Sequence, residues 1–282
     1  MDSNIQYISA ELAFITESGP SATTYIYPKS SGKKLKRPFH KKKRVKVHDA
    51  RLLQEPPRLE INGFQLLYAP TQITNLYDES DVVERYYIEA ADLVKSVTGA
   101  IEVFVFDHTY RSVERANAGQ KGVRLPAESA HVDYTPDSGP RRALEILRGV
   151  NKQQYSEHRM ALVNIWRPII GPVFDFPIAV CDPRTSSAAD YVKTDIHHYN
   201  EDDLENPAIS GQIYSLRYNK SQRWYYCSKM NPEEVLLLRN WDSSVCDHSC
   251  YAAHTGFKSP MVPTQSKPRE SIELRTLLVF SQ

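Results

Sequence analysis

Cysteine is scarce in this chain. There are four in 282 residues, Cys181, Cys227, Cys246 and Cys250, too few for a disulfide scaffold. The spacing Cys246-x3-Cys250, with His248 inside it and His254 after it, has the look of a zinc site. No second ligand pair at structural-zinc spacing accompanies it, so it reads as a cysteine-containing loop in a reducing compartment. Long apolar runs are missing as well, so no membrane-spanning helix is expected. The N-terminal residues lack the basic and apolar regions of a signal peptide, which leaves the cytoplasm as the expected location. Charge of one sign is not in excess either. The formal net charge is +1, so no global field selects for nucleic acid or a membrane surface.

What is present is ordinary for one globular domain spanning residues 1–282, with 41% hydrophobic and 24% charged residues. Strand-like segments dominate. Tyr7 to Phe14 and Thr23 to Tyr27 come first, and Val45 to His48 alternates briefly. Between them, the basic run from Lys33 to Lys46 reads as a solvated loop broken by Pro38. Helical period appears from Val82 to Val97, with Asp78 or Ser80 as cap and Gly99 as stop. A second helix opens at Ser138-Gly139-Pro140 and runs to about Arg148. Further strands are expected at 101–106, 161–168, 176–182, 212–218, 223–227, 235–241 and 271–280. Short strands with helices in the first half predict an antiparallel β-sandwich or barrel buttressed by those helices.

One short stretch carries chemistry. His131 and Asp133 are two residues apart, and in a strand residues i and i+2 point to the same face. An imidazole and a carboxylate so placed are two of the three ligands of a facial triad for non-haem Fe(II). The third must come from elsewhere. His158, His197, His198, His248 and His254 are the downstream candidates, and His254 lies between an apolar strand and the last strand. Arg269 and Ser271 open that last strand on one face. A planar guanidinium with a neighbouring hydroxyl suits a carboxylate, such as the distal one of 2-oxoglutarate. Arg275, on the same face, is a second choice, or pairs with an acid such as Glu273.

Five blocks in this order carry a resemblance. They are His131 to Thr135, Asn164 to Pro168, Pro177 to Asp182, Trp224 to Met230 and Arg269 to Arg275. Together they resemble the fungal hydroxylase/desaturase family of non-haem iron enzymes, which includes a gibberellin desaturase and relatives of a cephalosporin-methoxylation component. The likeness covers about residues 45–280, with Ala252-Ala253 standing where a proline is expected nearby. It implies an α+β chain with a double-stranded β-helix core (jelly-roll, cupin-like). Residues 1–44 would form an N-terminal extension with the basic loop, and residues 45–282 the catalytic part. It implies Fe(II) held by His131, Asp133 and His254. It also implies 2-oxoglutarate anchored by Arg269 with Ser271 or Arg275, O2 as oxidant, and a small natural product as substrate. Asn164, Trp166, Arg167, Tyr134 and His198 are candidate pocket residues, and the segments 112–128 and 184–210 are candidate lids. A homodimer is compatible with this reading. The alternatives are an iron oxygenase that does not need 2-oxoglutarate and a metal-binding cupin-like protein without activity.

Overall fold

The computed structural model describes residues 6–17, 19, 21–245 and 247–281. Cys246 lies outside the described residues. The first strands in chain order are β1 (Tyr7–Ile15), β2 (Ser21–Ile26), β3 (His40–Asp49), β4 (Phe64–Tyr68) and β5 (Glu102–Ser112). Then come β6 (Val123–Arg124), β7 (His131–Val132), β8 (Met160–Ile170), β9 (Ile178–Cys181) and β10 (Tyr191–His198). The last are β11 (Ile209–Leu216), β12 (Trp224–Tyr226), β13 (Glu234–Asp242), β14 (His254–Gly256) and β15 (Glu270–Val279). They form a nine-stranded sheet, β1-β3-β12-β9-β14-β7-β11-β10-β2, and a six-stranded sheet, β4-β13-β8-β15-β5-β6.

The two sheets pack face to face as a jelly roll. Trp166, Leu236 and Leu238 of the smaller sheet meet Ile178 and Val180 of the larger one in a buried cluster. A larger cluster joins both sheets to the helix Ser138–Gly149 through Ala143, Ile146 and Leu147. The outer face of the smaller sheet is covered by the helix Tyr87–Thr98. Its Ala90 and Val94 pack with Val163, Ile165, Leu274 and Leu278. Strand β8 is therefore covered on both faces, and every residue from Met160 to Pro168 is buried. That explains its lack of polar alternation, since a strand covered on both sides needs no solvent face.

Strand β15 shows how pattern places chemistry. Its inward positions read Ser271, Glu273 and Arg275, then Leu277 and Val279. One end of the strand thus faces the site and the other the apolar core. On β5, an extra residue at Phe106 shifts the register, so Asp107 opposes Arg275 while Val105 opposes Thr276. The bulge re-aims the strand, and Asp107, Thr109 and Arg111 stand opposite Arg275, Glu273 and Ser271.

Three expectations from the sequence are corrected. The basic run is no loop over its second half, because His40–Asp49 is the ten-residue strand β3 between β1 and β12. Exposed Arg44 and Lys46 alternate with half-buried Val45 and buried Val47, and pairing with β1 from His40 to His48 overrides the charge of the run. Segment 184–210 is also no long loop. β10 fills its centre, paired to both β11 and β2. Aromatic and β-branched residues at Tyr191, Val192, Thr194 and Ile196 carried that strand signal. The strand holding the H-x-D stretch is only two residues long, and Asp133 lies just beyond it.

Candidate metal centre

His131 lies on β7 and His254 on β14, paired directly opposite one another in adjacent strands. Opposed residues in an antiparallel pair share a face. The two rings accordingly lie with centroids 4.6 Å apart. Asp133 follows β7, its backbone N–H donating to Asn240 Oδ1 on β13 at 3.1 Å. One donor atom from each of His131, Asp133 and His254 lies within 4.8 Å of the others. His131 Nε2 and Asp133 Oδ1 are 3.5 Å apart.

The ring nitrogens are sorted by the backbone. Nδ1 of His131 is 2.8 Å from the carbonyl of Ser129, and Nδ1 of His254 is 3.1 Å from that of Ala252. Each Nδ1–H donates to a carbonyl two residues earlier, which leaves each Nε2 as the acceptor facing its partners. A neutral donor pair and one carboxylate fit a divalent cation with open coordination positions. Gly63, at φ +74°, helps to seat this strand, since a Cβ there would lie 3.0 Å from Ala252 Cβ. A small residue at 252, where a proline was expected nearby, suits this close approach.

A layer of charge fixes Asp133. Its Oδ2 accepts from Asn164 Nδ2 at 2.8 Å and from Arg275 Nε at 3.1 Å. Arg275 also donates to Asp107 at 2.9 Å and to Thr109 at 3.2 Å. Asn164 donates a second time, to Glu273 Oε1 at 2.8 Å. Burial pushes the Asp133 carboxyl up, but the charges of Arg275 and His131 outweigh it and hold it well below the usual carboxylate range. Burial lowers His254, reinforced by the charge of His131. Burial lowers His131 too, but the neighbouring Asp133 carboxylate favours its protonated form and turns the net shift upward.

Arg269 sits along the same pocket, which is narrow and also lined by Arg111, His131, His254 and Glu273. Its Nε donates to Ser271 Oγ at 3.1 Å and its Nη1 to the carbonyl of Phe176 at 2.8 Å. Its guanidinium lies 5.0 Å from the Trp166 ring centroid. Burial and the nearby charge of Arg111 push it down to about 9, so it remains cationic at neutral pH. No carboxylate lies within ion-pair distance of its guanidinium among the described residues. A buried cation without an anion is costly.

The remaining candidates separate. Asn164 and Trp166 face this interior. Arg167 does not, and its assignment to the pocket is corrected. It points to the opposite side of β8, donating to Tyr86 Oη at 2.6 Å, to the Ala69 carbonyl at 2.7 Å and to the Pro232 carbonyl. Alternation along β8 is the reason, since neighbours in a strand face opposite ways. Tyr134 is buried in the apolar cluster beside the helix Ser138–Gly149. His198 is half-buried at the end of β10, lowered by burial and by the charge of Arg124. His158, His197 and His248 contact Phe280, Ser210 and Ser186 respectively, away from the centre. Asn240, Asp107 and Arg111 were missed. The polar alternation Asp107, Thr109, Arg111 past the apolar part of β5 was the available signal. The three described cysteines are free and buried.

A face-to-face β-sandwich of this topology, with a His–Asp–His cluster in its interior, has the make-up of a jelly-roll metalloprotein. A family model described as an oxidoreductase/YMDC permease-like domain matches residues 7–280. The chain is 34% identical over 243 residues to the Fe(II)/2-oxoglutarate-dependent dioxygenase nvfI of Aspergillus novofumigatus, covering 83% of this chain and 82% of that protein. It is 31% identical over 254 residues to the hydroxylase/desaturase efuI of Hormonema carpetanum, covering 84% and 83%. The solved structure of the iron and alpha-ketoglutarate-dependent endoperoxidase NvfI superposes with a TM-score of 0.84 at 28% identity, covering 98% of this chain and 99% of that one. The chain belongs to the fungal family of Fe(II)/2-oxoglutarate-dependent dioxygenases and hydroxylase/desaturases, and is a non-haem iron oxidoreductase. No helix among the described residues is long and apolar enough to cross a membrane.

Proposed function

We propose that this enzyme oxidises a C–H bond of a small natural-product intermediate, with His131, Asp133 and His254 holding Fe(II). The overall reaction consumes O2 and 2-oxoglutarate and releases succinate and CO2, together with water where the product is desaturated or cyclised. The oxidised product is hydroxylated, desaturated or cyclised. The observation that carries this reading is that His131 and His254 of the His–Asp–His cluster line one interior pocket with Arg269, whose guanidinium has no ion-pair partner among the described residues.

When bound, Fe(II) supplies the redox chemistry that couples decarboxylation of the keto acid to C–H oxidation. The protein residues bind and orient. The two Nδ1–H bonds to Ser129 and Ala252 present Nε2 lone pairs to the metal. Asn164 and Arg275 occupy Asp133 Oδ2, which leaves Oδ1 to ligate. Arg269, fixed through Ser271 and Phe176, presents the rest of its guanidinium to the distal carboxylate of 2-oxoglutarate. Arg275, spent on Asp133 and Asp107, is the positioning residue for the carboxylate ligand instead. His198, half-buried at the end of β10, is the candidate for substrate contact. A cytoplasmic location and a homodimer complete the reading.

Succinate formation in Fe(II), ascorbate, 2-oxoglutarate and O2, assayed with candidate substrates, tests it. His131→Ala protein is expected to lose bound iron and to form less than about 1% of the wild-type succinate. Iron-loaded His131→Ala protein that still turned over 2-oxoglutarate would remove the ligand assignment.

A further inference from the structure

Four isoleucines stand apart from the apolar core. Among the described residues, Ile26 on β2, Ile196 on β10, and Ile209 and Ile213 on β11 pack in none of the three buried clusters. Ile209 is 67% exposed, and the other three are half-buried. A single surface isoleucine needs no explanation, but these four share one face with the metal ligands. Strand pairing fixes that face. His131 stands opposite Ser215 on β11, and Ser215 opposite Val192 on β10. Opposed residues share a face, and so do residues two apart along a strand. Counting on by twos sets Ile213, Gly211 and Ile209 on this face of β11, and Thr194, Ile196 and His198 on this face of β10. Thr194 Oγ1 donates to Ser215 Oγ at 2.8 Å, which places both side chains on the same side. β2 extends the face in parallel, with Ile26 beside His198.

The face also holds an open recess. Gly211 stands opposite Ile196 and lies between Ile209 and Ile213 along its own strand. A Cβ built on it meets nothing within 4 Å beyond its chain neighbours. Glycine inside a strand marks a place where another molecule approaches closely. With a rise of about 3.3 Å per residue and about 4.8 Å between strands, Ile213 lies about 8 Å from His131 and Ile196 about 16 Å, backbone to backbone. Polar groups begin at the far end. There His198 closes β10, and the charge of Arg124 on β6 acts on it. Arg124 is paired with Arg111, which lines the metal pocket, so it faces the interior from the other sheet. The apolar stretch thus starts beside a metal ligand and ends at a polar rim. A face that met a second copy of the chain would be exposed along its length, whereas Ile26, Ile196 and Ile213 are recessed.

We propose that this face of β2, β10 and β11 is the wall against which the apolar skeleton of the substrate lies, with the Gly211 recess seating one of its rings. This rests on the metal ligands assigned above. The wall is three strands broad, which suits a fused-ring skeleton better than a single extended chain. The substrate class that fits is a mainly hydrocarbon, fused-ring molecule with its oxygen functions toward His198. Burial of the isoleucines and the skeleton against each other removes both from water and supplies the attraction. The C–H bond to be oxidised lies at the Ile213 end, beside the metal ligands. A small shift of the skeleton along the wall changes which bond reaches the metal. Gly211, Ile196 and Ile213 are therefore the residues that determine specificity.

The probe is 2-naphthol, a neutral fused-ring molecule with one hydroxyl. Its proton relaxation is measured by NMR with the full chain loaded with Mn(II) and saturated with 2-oxoglutarate, against the same chain loaded with Mg(II). Relaxation by Mn(II) falls so steeply with distance that only a probe held near the metal responds. Wild-type protein is expected to show the Mn(II) effect. Gly211→Trp, which fills the recess, and Ile196→Asp, which sets a charge on the wall, are each expected to cut it by about threefold or more. Ile88→Asp, on the exposed side of the helix Tyr87–Thr98, is expected to leave it within about 1.5-fold of wild type. Affinities for Mn(II) and 2-oxoglutarate should stay within twofold in every variant. Absence of the effect in wild type, or a loss of less than threefold in Gly211→Trp, would overturn the proposal. Should Gly211→Trp not fold, a loss of less than threefold in Ile196→Asp overturns it equally. A loss accompanied by a change from dimer to monomer in sedimentation velocity would make the face an interface between copies and also overturn it. Failure of wild-type protein to bind Mn(II) is a separate outcome, which removes the metal assignment and this proposal with it.

Discussion

At the scale of single residues, the centre depends on side chains that touch no ligand. Asn164 divides its amide between Asp133 and Glu273, both at 2.8 Å, and is fully buried. Removing it frees Asp133 Oδ2 to compete with Oδ1 and leaves Glu273 without its donor. Asn164→Ala is therefore expected to weaken divalent-metal binding by about 10–100-fold, the range typical of partners that orient ligands. Competition of Mn(II) with a chelating dye measures it, and unchanged affinity in a folded variant would show that Arg275 alone orients the carboxylate. The His and Asp of H-x-D were readable because their types and spacing have a chemical meaning by themselves. Asn164 and Glu273 were not assigned their roles, because an amide or a lone acid gains a task only from what lies across the sheets. Arg167 shows the opposite error, a charge in a motif block that the strand's alternation turns toward Tyr86.

At the scale of elements, the edges of β8 and β13 are clasped by ions. Arg159, just before β8, reaches Asp242 at the end of β13 with Nη2 at 2.7 Å and Nε at 3.2 Å. Asp242 also accepts from Ser244 N and Oγ, and its side chain is 1% exposed. Burial pushes the Asp242 carboxyl up, but Arg159 and Ser244 outweigh it and hold it below its ordinary value of 3.8. A carboxyl depressed in the folded state stabilises the fold above its unfolded pKa and loses that contribution as pH falls through its folded pKa. Asp242→Asn should accordingly cost about 1–3 kcal/mol at pH 7. The gap from wild type in urea denaturation should hold down to about pH 4 and narrow below it. A gap that widened with acid would reverse the sign and refute the clasp. Most elements were legible, because the helix Tyr87–Thr98 keeps its period and β13 and β15 are long apolar strands. Strand β3 was not fully legible, since its lysines satisfy a surface pattern and only pairing with β1 makes them a strand.

At the scale of the whole molecule, the centre is assembled from segments far apart in the chain. β7 and β14 meet only because β9 and β11 flank them in the nine-stranded sheet, and β15 closes on them from the other sheet. That assembly is a property of the jelly roll, so the sequence alone left five histidines open as the third ligand. The topology sets His254 opposite His131, while three of the others contact residues elsewhere. The most direct measurement is anomalous diffraction at the iron edge from crystals grown anaerobically with Fe(II) and 2-oxoglutarate. The expected result is one strong peak bounded by His131 Nε2, His254 Nε2 and Asp133 Oδ1, with keto-acid density running from it to Arg269. A peak elsewhere, at His197 and His198 for example, with none at His131, would contradict the account.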